Sequence, residues 1–452
     1  MDWTENPMTL NRHMTVAVVS LLLTGALPAQ AQPSGPTTHA EAPARLTPAE
    51  RDTALAAITE AVQKSYVFPE KRAAVLERLS QSRKAGRYDV DSPLLLAERV
   101  TDDLKGSSGD LHLYLQHAPA RYAAAKAPKG EGVDADAYRR NQALREHHGL
   151  TETRVLAGNI RYLKIAGFRW TRDETGAAYD DAMRFLKDGD ALILDVRGNG
   201  GGAHAAVQYL VSHFLEEGTL LMTFHRGSEP PVQSRTLEHV PAGRLKGKPL
   251  YVLIDGSVGS AGEDFVYDVQ QFKLGELIGA RTSGAANNNW FTPIPPAFML
   301  SVPEGRPVHS VSQTNWDGVG IAPDVEVPTA QALEVAHSRA LKGLMATSAP
   351  TPAQRAEYTW AQVGIEARLH PVSIAPARLK SLAGRFGEMQ ATFRDGALWL
   401  VRDRRQDARL TPLTQDGLFA VEGSERLRVR LTGKALELSR LGEPTPVVLA
   451  RS

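Results

Sequence analysis

Ala191-Leu-Ile-Leu-Asp-Val-Arg-Gly-Asn-Gly-Gly-Gly202 is the stretch from which the fold can be predicted. Its first four residues are all apolar, which is typical of a short strand covered on both faces. The three glycines at its end allow the backbone to adopt positive φ and to be approached closely. Apolar residues at helical spacing follow over 203–215. The pattern therefore predicts a buried strand, a glycine turn and a helix.

A glycine turn at a helix N-terminus presents free N–H groups to a negative group. That group is either a phosphate or the oxyanion of an acyl-transfer intermediate. The phosphate interpretation is the weaker one, because the stretch lacks the Lys-Ser/Thr of a P-loop and the spacing of a dinucleotide-binding turn. A purely structural alternative remains, in which the glycines only let the helix pack closely on its strand.

The composition excludes several classes of protein. A chain of 452 residues is long enough for two or three domains. Its 52 Lys and Arg nearly balance its 51 Asp and Glu, which gives no support for nucleic acid or an anionic membrane as partner. The sequence contains no Cys, so disulfides, thiolate catalysis and Cys-ligated metals are excluded.

The N-terminal residues resemble a secretory signal peptide. An apolar run over 15–27 is followed by Ala29-Gln30-Ala31, a small-x-small cleavage pattern. The run is too short to span a bilayer, and no other run reaches spanning length. We therefore expect residues 1–31 to be removed and the mature protein to be exported, to a periplasm or out of the cell. Residues 32–46 have the composition of a flexible linker.

The rest of the chain divides by pattern into four parts. Thr47-Pro48-Ala49-Glu50 is a capping box that begins an N-terminal helical domain, predicted over 47–117 with three helices. A polar connector over 118–150 leads to an α/β core over 151–346, where strands alternate with helices. Asp395-Gly396 and Asp416-Gly417 indicate hairpins in a small C-terminal β domain over 351–452.

Two polar residues outside the glycine turn are candidates for chemistry. Ser260 follows a second apolar strand, in a turn rich in Gly and Ser before a predicted helix, where its hydroxyl would be exposed and the N–H of Ala261 would lie at the helix start. Ser260 is equally suited to be an ordinary N-cap, with Glu263 completing a capping box. His112 alternates with leucines in a predicted strand, where it is either a solvated side chain or a general base.

Taken together, these stretches resemble the carboxy-terminal-processing, or tail-specific, serine peptidases, in the branch that contains tricorn protease and interphotoreceptor retinoid-binding protein. The resemblance extends over about 55–340, and its motifs are specific in combination. They are Tyr66-Val-Phe-Pro-Glu70, Ser108-Gly-Asp-Leu-His-Leu113, Gly158-Asn-Ile-Arg-Tyr-Leu163, Leu194-Asp-Val-Arg-Gly-Asn-Gly-Gly-Gly202, Ser260-Ala-Gly-Glu263 and Asn315-Trp-Asp-Gly-Val-Gly-Ile-Ala-Pro-Asp324, of which the segment 194–202 is the most recognisable.

The resemblance implies a fold and a set of roles. The fold would be a crotonase-like spiral of ββα units, shared with the Clp protease. Ser260 would be the nucleophile, His112 the general base and Asp317 the acid that supports the base. The N–H groups of Ala261 and Gly201 would form the oxyanion hole. The substrate would be a peptide or protein, and neither a cofactor nor a metal is implied.

The sequence departs from the family pattern at several positions. One branch uses a Ser–Lys dyad, but Ala285 stands where the lysine would be. Leu111 replaces a serine that relays between base and acid in tricorn, and Asp317 replaces the usual Glu and is one methylene shorter. Either Asp317 contacts the base directly, or Asp110 assists, or the support is weak. No PDZ-like insertion is evident between His112 and the strand near residue 159.

Two other functions stay open at this stage. A protein that binds an apolar, retinoid-like or lipid-like ligand could use the same scaffold, since fold does not fix function. A metal hydrolase is less well supported, because neither His147-His148 nor His112 with His117 forms a H-E-x-x-H pattern. His204, just after the glycine turn, is the alternative candidate for the base. The sequence does not indicate an oligomeric state.

Overall fold

The computed structural model describes residues 45–127, 135–226, 229–347, 349–402 and 405–452. The predicted signal peptide and nearly all of the predicted linker lie outside these residues. Within the described ranges, no helix combines the length and the apolar character that a membrane span requires.

The helices, in chain order, are α1 Pro48–Ser65, α2 Pro69–Lys84, α3 Pro93–Ser108, α4 Pro119–Lys126, α5 Ala135–Arg145, α6 Asp173–Lys187, α7 His204–Val211, α8 Ala261–Gln271, α9 Ala332–Thr347, α10 Pro352–Leu369 and α11 Pro376–Leu382. The strands of the first two sheets are β1 Tyr114–His117, β2 Leu150–Leu156, β3 Ile160–Ile165, β4 Ala191–Asp195, β5 Leu220–Arg226, β6 Glu229–Arg235, β7 Leu250–Ile254, β8 Glu276–Gly279, β9 Asn288–Ile294, β10 Phe298–His309 and β11 Val325–Glu326. The strands of the third sheet are β12 Gly384–Phe386, β13 Met389–Arg394, β14 Ala397–Arg402, β15 Ala408–Pro412, β16 Leu418–Val421, β17 Ser424–Leu431, β18 Ala435–Arg440 and β19 Val447–Ala450.

Helices α1 to α3 confirm the predicted N-terminal helical region. Thr47 caps α1 through the predicted capping box with Glu50, and Ser92 caps α3. Gly109 ends α3 in the left-handed region, with φ of 69°. The apolar faces of the three helices pack in one core together with β1, β9 and β10.

The prediction that residues 111–115 form a strand with His112 on its polar face is wrong. His112 lies in a turn, and strand β1 begins only at Tyr114. The reason is local: the buried Asp110 carboxylate accepts a hydrogen bond from the backbone N–H of His112 at 2.9 Å. Such a side-chain bond competes with extension of the strand.

The α/β core is a six-stranded sheet in the order β11-β8-β7-β4-β3-β2. Its strands pair in parallel from β3 to β11, and only β2 is antiparallel. Central β4 is buried at every position, as its apolar run predicted. Because β4 and β7 are parallel neighbours, their carboxyl ends meet at one edge of the sheet. The glycine turn (198–202) and the Ser260 turn leave from that edge, which is where open α/β sheets carry their sites.

A second sheet lies beside this core. Its strand pairs are all antiparallel, in the order β1-β10-β5-β6 with β9 also paired to β10. The long strand β10 connects the N-terminal helices to the core, because it pairs with β1 at its beginning and with β5 at its end. The loop that follows β10 carries Asp317, whose carboxylate accepts the backbone N–H groups of Ala286 and Asn287.

The C-terminal sheet has eight antiparallel strands in simple sequence order, from β12 to β19. A bridge between Phe386 and Arg451 joins its first strand to its end, so the sheet is barrel-like. Helix α10 packs against the α/β core instead, through Tyr358, Ala361 and Ile365. The predicted C-terminal β domain (351–452) thus begins with a helix that belongs to the neighbouring core, and its strands start at Gly384.

Candidate active site

Ser260 has an unusual backbone conformation. It is the residue before α8, with φ of 51° and ψ of −121°. Ordinary N-caps are extended, as Thr47 is here with φ of −73° and ψ of 157°. A non-glycine residue in this region is strained, and a strained turn between strand and helix is what exposes a nucleophilic serine in hydrolases. The geometry of Ser260 therefore differs from that of a simple helix cap.

Glu263 holds this strained turn in place. Its fully buried carboxylate accepts hydrogen bonds from the Ser260 N–H at 3.2 Å and from the Thr282 hydroxyl at 2.6 Å. It also accepts the backbone N–H groups of Gly284 at 2.6 Å and Ala285 at 2.8 Å. The carbonyl of Ala285 accepts a second bond from the Ser260 N–H at 3.1 Å. Ala285 stands where the dyad branch of the family has its lysine, and here it supports Ser260 through its backbone carbonyl.

The glycine turn lies directly against Ser260. A Cβ atom added to Gly201 would lie 2.8 Å from the Cβ of Ser260 and 3.0 Å from the nitrogen of Ala261. The N–H of Ala261 has no acceptor among the described residues, as expected for the first residue of a helix. The N–H of Gly201, however, donates to the side-chain oxygen of Asn199 at 2.9 Å. Both predicted oxyanion donors are at the site, but only that of Ala261 is free.

His112 lies near two carboxylates. One donor atom from each of Asp110, His112 and Asp317 lies within 4.8 Å of the other two. The Nδ1 atom of His112 is buried and has no hydrogen-bond partner among the described residues. Burial lowers the pKa of the His112 imidazole below its ordinary value, while the carboxylates of Asp110 and Glu263 oppose that shift. The imidazole is therefore neutral at neutral pH, as a general base must be.

Asp317 is held over the segment that Glu263 anchors. Its carboxylate accepts the N–H groups of Ala286 at 3.1 Å and Asn287 at 3.4 Å. Burial and the neighbouring Asp110 carboxylate raise the pKa of Asp317 to about 6, and the two N–H donors partly offset that rise. Asp110 is fully buried and accepts from Tyr66 and from the side-chain amide of Asn287, each at 3.4 Å.

His204, the alternative base, has partners for both ring nitrogens. Its Nδ1 lies 2.5 Å from Asp264 Oδ2, and its Nε2 lies 2.7 Å from Ser234 Oγ. The three residues form a chain between β6, α7 and α8 in which Ser234 and Asp264 are buried and His204 is partly exposed. Burial lowers the pKa of His204, but the Asp264 carboxylate outweighs that effect and raises it. A histidine engaged on both sides is poorly placed to accept a proton from Ser260. The predicted base therefore stays His112.

The sequence did not indicate two of these features. Glu263 was recognised only as half of a capping box, although it anchors the whole segment 282–285. No sequence motif marked Ser234 or Asp264 as partners of His204. The sequence does place the Glu263 carboxylate beside apolar residues in α8. Because an acid is buried in such a place only if it is fully hydrogen-bonded, this pattern could have indicated an anchoring role.

A strained serine beside a free N–H at a helix start, and a histidine beside carboxylates, are the kinds of group that a serine-type peptidase uses. Family comparison agrees: residues 159–327 match the model of peptidase family S41. Residues 47–146 match the N-terminal domain of peptidase S41 in eukaryotic IRBP. The chain belongs to peptidase family S41, and this confirms the predicted family, its fold class and the serine-type peptidase class.

Several solved structures resemble the chain. The photosystem II D1 C-terminal processing protease is 14% identical, with a TM-score of 0.42 over 63% of this chain and 94% of that chain. Mature CPAF is 11% identical, with a TM-score of 0.47 over 67% and 99%. Tricorn protease is 14% identical, with a TM-score of 0.39 over 63% of this chain and 35% of that chain.

Proposed function

We propose that the protein is an exported serine peptidase in which Ser260 attacks a peptide carbonyl, His112 takes the serine proton and backbone N–H groups hold the oxyanion. The observation that carries the proposal is the strained backbone of Ser260, which lies close to Gly201 and donates a hydrogen bond to the buried Glu263 carboxylate. A strain of about 1–3 kcal/mol persists only where the surroundings enforce it, which is characteristic of functional positions.

The reaction follows the two-step course of acyl transfer. The Oγ of Ser260 bonds to the carbonyl carbon as its proton passes to the His112 imidazole, and the oxyanion accepts from Ala261 N–H. The imidazolium then protonates the departing amine, which leaves an ester on Ser260. Water, deprotonated by His112, hydrolyses this ester and releases the free serine. No cofactor takes part in either step.

A second donor for the oxyanion is proposed at Gly201. Its N–H is bonded to Asn199, so it acts either by sharing the proton between the two acceptors or by turning from Asn199 when the oxyanion forms. Losing one such donor typically costs ~10²–10³ in rate, so this rearrangement matters for turnover.

The negative charges around His112 would stabilise the imidazolium during each step. Asp110 and Asp317 both lie close to the ring, and while burial lowers the pKa of the imidazole, the Asp110 carboxylate acts to raise it; neither carboxylate needs to accept a proton for this. Asp110 fixes the backbone that carries the ring by accepting a hydrogen bond from the N–H of His112. Asp317 takes the place of the family's Glu, and its shorter side chain is consistent with the unpartnered Nδ1.

A binding function is the second candidate. It follows from the resemblance to interphotoreceptor retinoid-binding protein seen in the sequence, and residues 47–146 match the N-terminal domain of peptidase S41 in eukaryotic IRBP. The ligand of such a protein would be apolar. A binder has no need of a strained serine next to a free helix N–H, which is why the peptidase is preferred.

A fluorophosphonate probe separates the two candidates, because it reacts only with an activated serine. We expect the wild type and a His239→Ala control, whose changed residue is exposed, to be labelled at Ser260. Ser260→Ala should not be labelled there, and His112→Ala should react much more slowly. A wild-type protein that is neither labelled nor able to cleave casein or peptides contradicts the peptidase proposal.

Export is supported by the apolar run and its small-x-small end. We expect protein recovered from the exported fraction to begin near Gln32. N-terminal sequencing that returns Met1 from that fraction contradicts this part of the proposal.

A further inference from the structure

We propose that Asp110, His112 and Asp317 also bind one zinc ion, and that zinc bound there switches the peptidase off. The three side chains each offer a donor atom within 4.8 Å of the others. Zinc binds nitrogen and carboxylate oxygen at about 2.0–2.2 Å in a tetrahedron, so donors around one ion lie roughly 3.4 Å from one another. Small side-chain rotations are enough to close this set around an ion.

An unsatisfied atom points independently to a ligand. The Nδ1 atom of His112 is buried and has no partner among the described residues. A buried nitrogen without a hydrogen bond costs about 1–3 kcal/mol, so a ligand that bonds to it is favoured by that amount. In this structure the atoms close to the imidazole include two carboxylates, which attract a cation.

The two carboxylates are held as metal ligands usually are. Asp110 accepts hydrogen bonds from Tyr66 and Asn287, and Asp317 accepts the N–H groups of Ala286 and Asn287. Such outer partners orient the ligating oxygens before an ion arrives. The side chain and the backbone of Asn287 touch both acids, so one residue sets their relative position.

The chemistry of the donors favours zinc over the harder cations. One imidazole with two carboxylates suits zinc, whereas calcium and magnesium prefer sites made of oxygen alone. Three protein ligands leave a fourth position for water. The sequence offers no Cys that could compete for the ion.

Inhibition follows from the role of His112, and this part of the inference rests on the proposed function. An imidazole bound to zinc has its lone pair occupied at the metal and its ring fixed among the carboxylates. It is then unable to swing and accept the proton of Ser260 during acylation. Zinc binding itself does not depend on Ser260, so it can be measured in a protein that has no peptidase activity.

The experiment titrates zinc chloride alone into the full chain by isothermal calorimetry. We expect one ion per chain for the wild type, for Ser260→Ala and for the control His239→Ala. His112→Ala and Asp317→Asn should each weaken binding at least about ten-fold, and Asn287→Ala should weaken it about ten-fold through lost orientation. In parallel, zinc should inhibit peptide cleavage by the wild type with a midpoint equal to the calorimetric Kd, reversed by EDTA.

The outcomes distinguish this inference from the proposed function. If Ser260→Ala does not bind zinc, or if His112→Ala binds it unchanged, the site is refuted while the peptidase proposal stands. Zinc that stimulates cleavage refutes the inhibitory role. If the zinc-free wild type cleaves no peptide, the proposed function fails, and calorimetry on Ser260→Ala still decides the metal site.

Discussion

Replacing Gly201 by alanine tests the proposed site at its tightest point. The added Cβ would lie 2.8 Å from the Ser260 Cβ and 3.0 Å from both Ala261 N and Gly259 O. Ordinary carbon contacts begin near about 3.5 Å, so the nucleophile must move by roughly 0.7 Å. The φ of 114° at Gly201 adds strain of about 1–3 kcal/mol. Because misplacement of about 1 Å costs ~10² in rate, and loss of an oxyanion donor ~10²–10³, we expect kcat to fall by that order.

Gly200→Ala is the matched control, one residue away. No heavy atom lies within 4 Å of the Cβ that it would add, and its φ is outside the left-handed region. We expect it to retain kcat within a few-fold. Peptide cleavage and the rate of fluorophosphonate labelling report on the site, and circular dichroism verifies that both variants are folded. A folded Gly201→Ala variant with wild-type turnover would refute the contact between the glycine turn and the nucleophile. Equal losses of kcat in both variants would show that the effect does not depend on the close approach of Gly201 to Ser260.

Three further predictions address the charges. Asp317→Glu should raise kcat by about ten-fold or more, because the longer side chain reaches the unpartnered Nδ1 of His112 and a charge-assisted bond contributes about 1.5–3 kcal/mol; steady-state kinetics with unchanged or lower kcat contradicts this. Turnover of the zinc-free enzyme should fall as pH drops below about 6, where Asp317 gains a proton and stops stabilising the imidazolium. In the Asp317→Asn variant, this acidic fall in turnover should occur at lower pH. A pH–rate profile of the variant identical to that of the wild type argues against this role of Asp317. His337, whose pKa burial lowers to about 4, donates to the Ala157 carbonyl at 2.7 Å. Since the unfolded chain takes up this proton near pH 6.5, stability should be complete above that pH and fall by roughly 2 kcal/mol from pH 7 to pH 5 on account of this one residue. In urea unfolding, the free energy of unfolding of His337→Gln should fall by that much less between pH 7 and pH 5 than that of the wild type. If the variant shows the same pH dependence as the wild type, His337 is not its source.

The sequence was sufficient where one local pattern determines one element. The apolar run of β4, its glycines and the capping box of Thr47 were all recovered as predicted. Strand β6 carried no such pattern, because it contains two prolines and exposes nearly every residue. It forms by pairing with β5, and pairing is decided by tertiary context rather than by propensity.

The site was predictable in its residue types but not in its geometry. Ser260 was equally consistent with an N-cap, and only its φ of 51° separates the two interpretations. His112 was placed in a strand, because alternation with leucines is visible in the sequence and the bond from its N–H to Asp110 is not. That bond arises from the burial of Asp110 against Tyr66 and Asn287, residues far away in the chain.

Glu263 explains how a site without the lysine of the dyad branch can still hold its nucleophile. The segment that would carry the lysine instead gives two backbone N–H groups to the Glu263 carboxylate and one carbonyl to the N–H of Ser260. It then continues directly to Ala286 and Asn287, which hold Asp317, and through the Asn287 side chain to Asp110. Removing the Glu263 carboxylate would therefore loosen the nucleophile and the acids near the base together. The strained backbone of Ser260 and the positions of Asp110 and Asp317 therefore depend on the same segment, and a variant that relaxes the backbone of Ser260 should also displace the two acids.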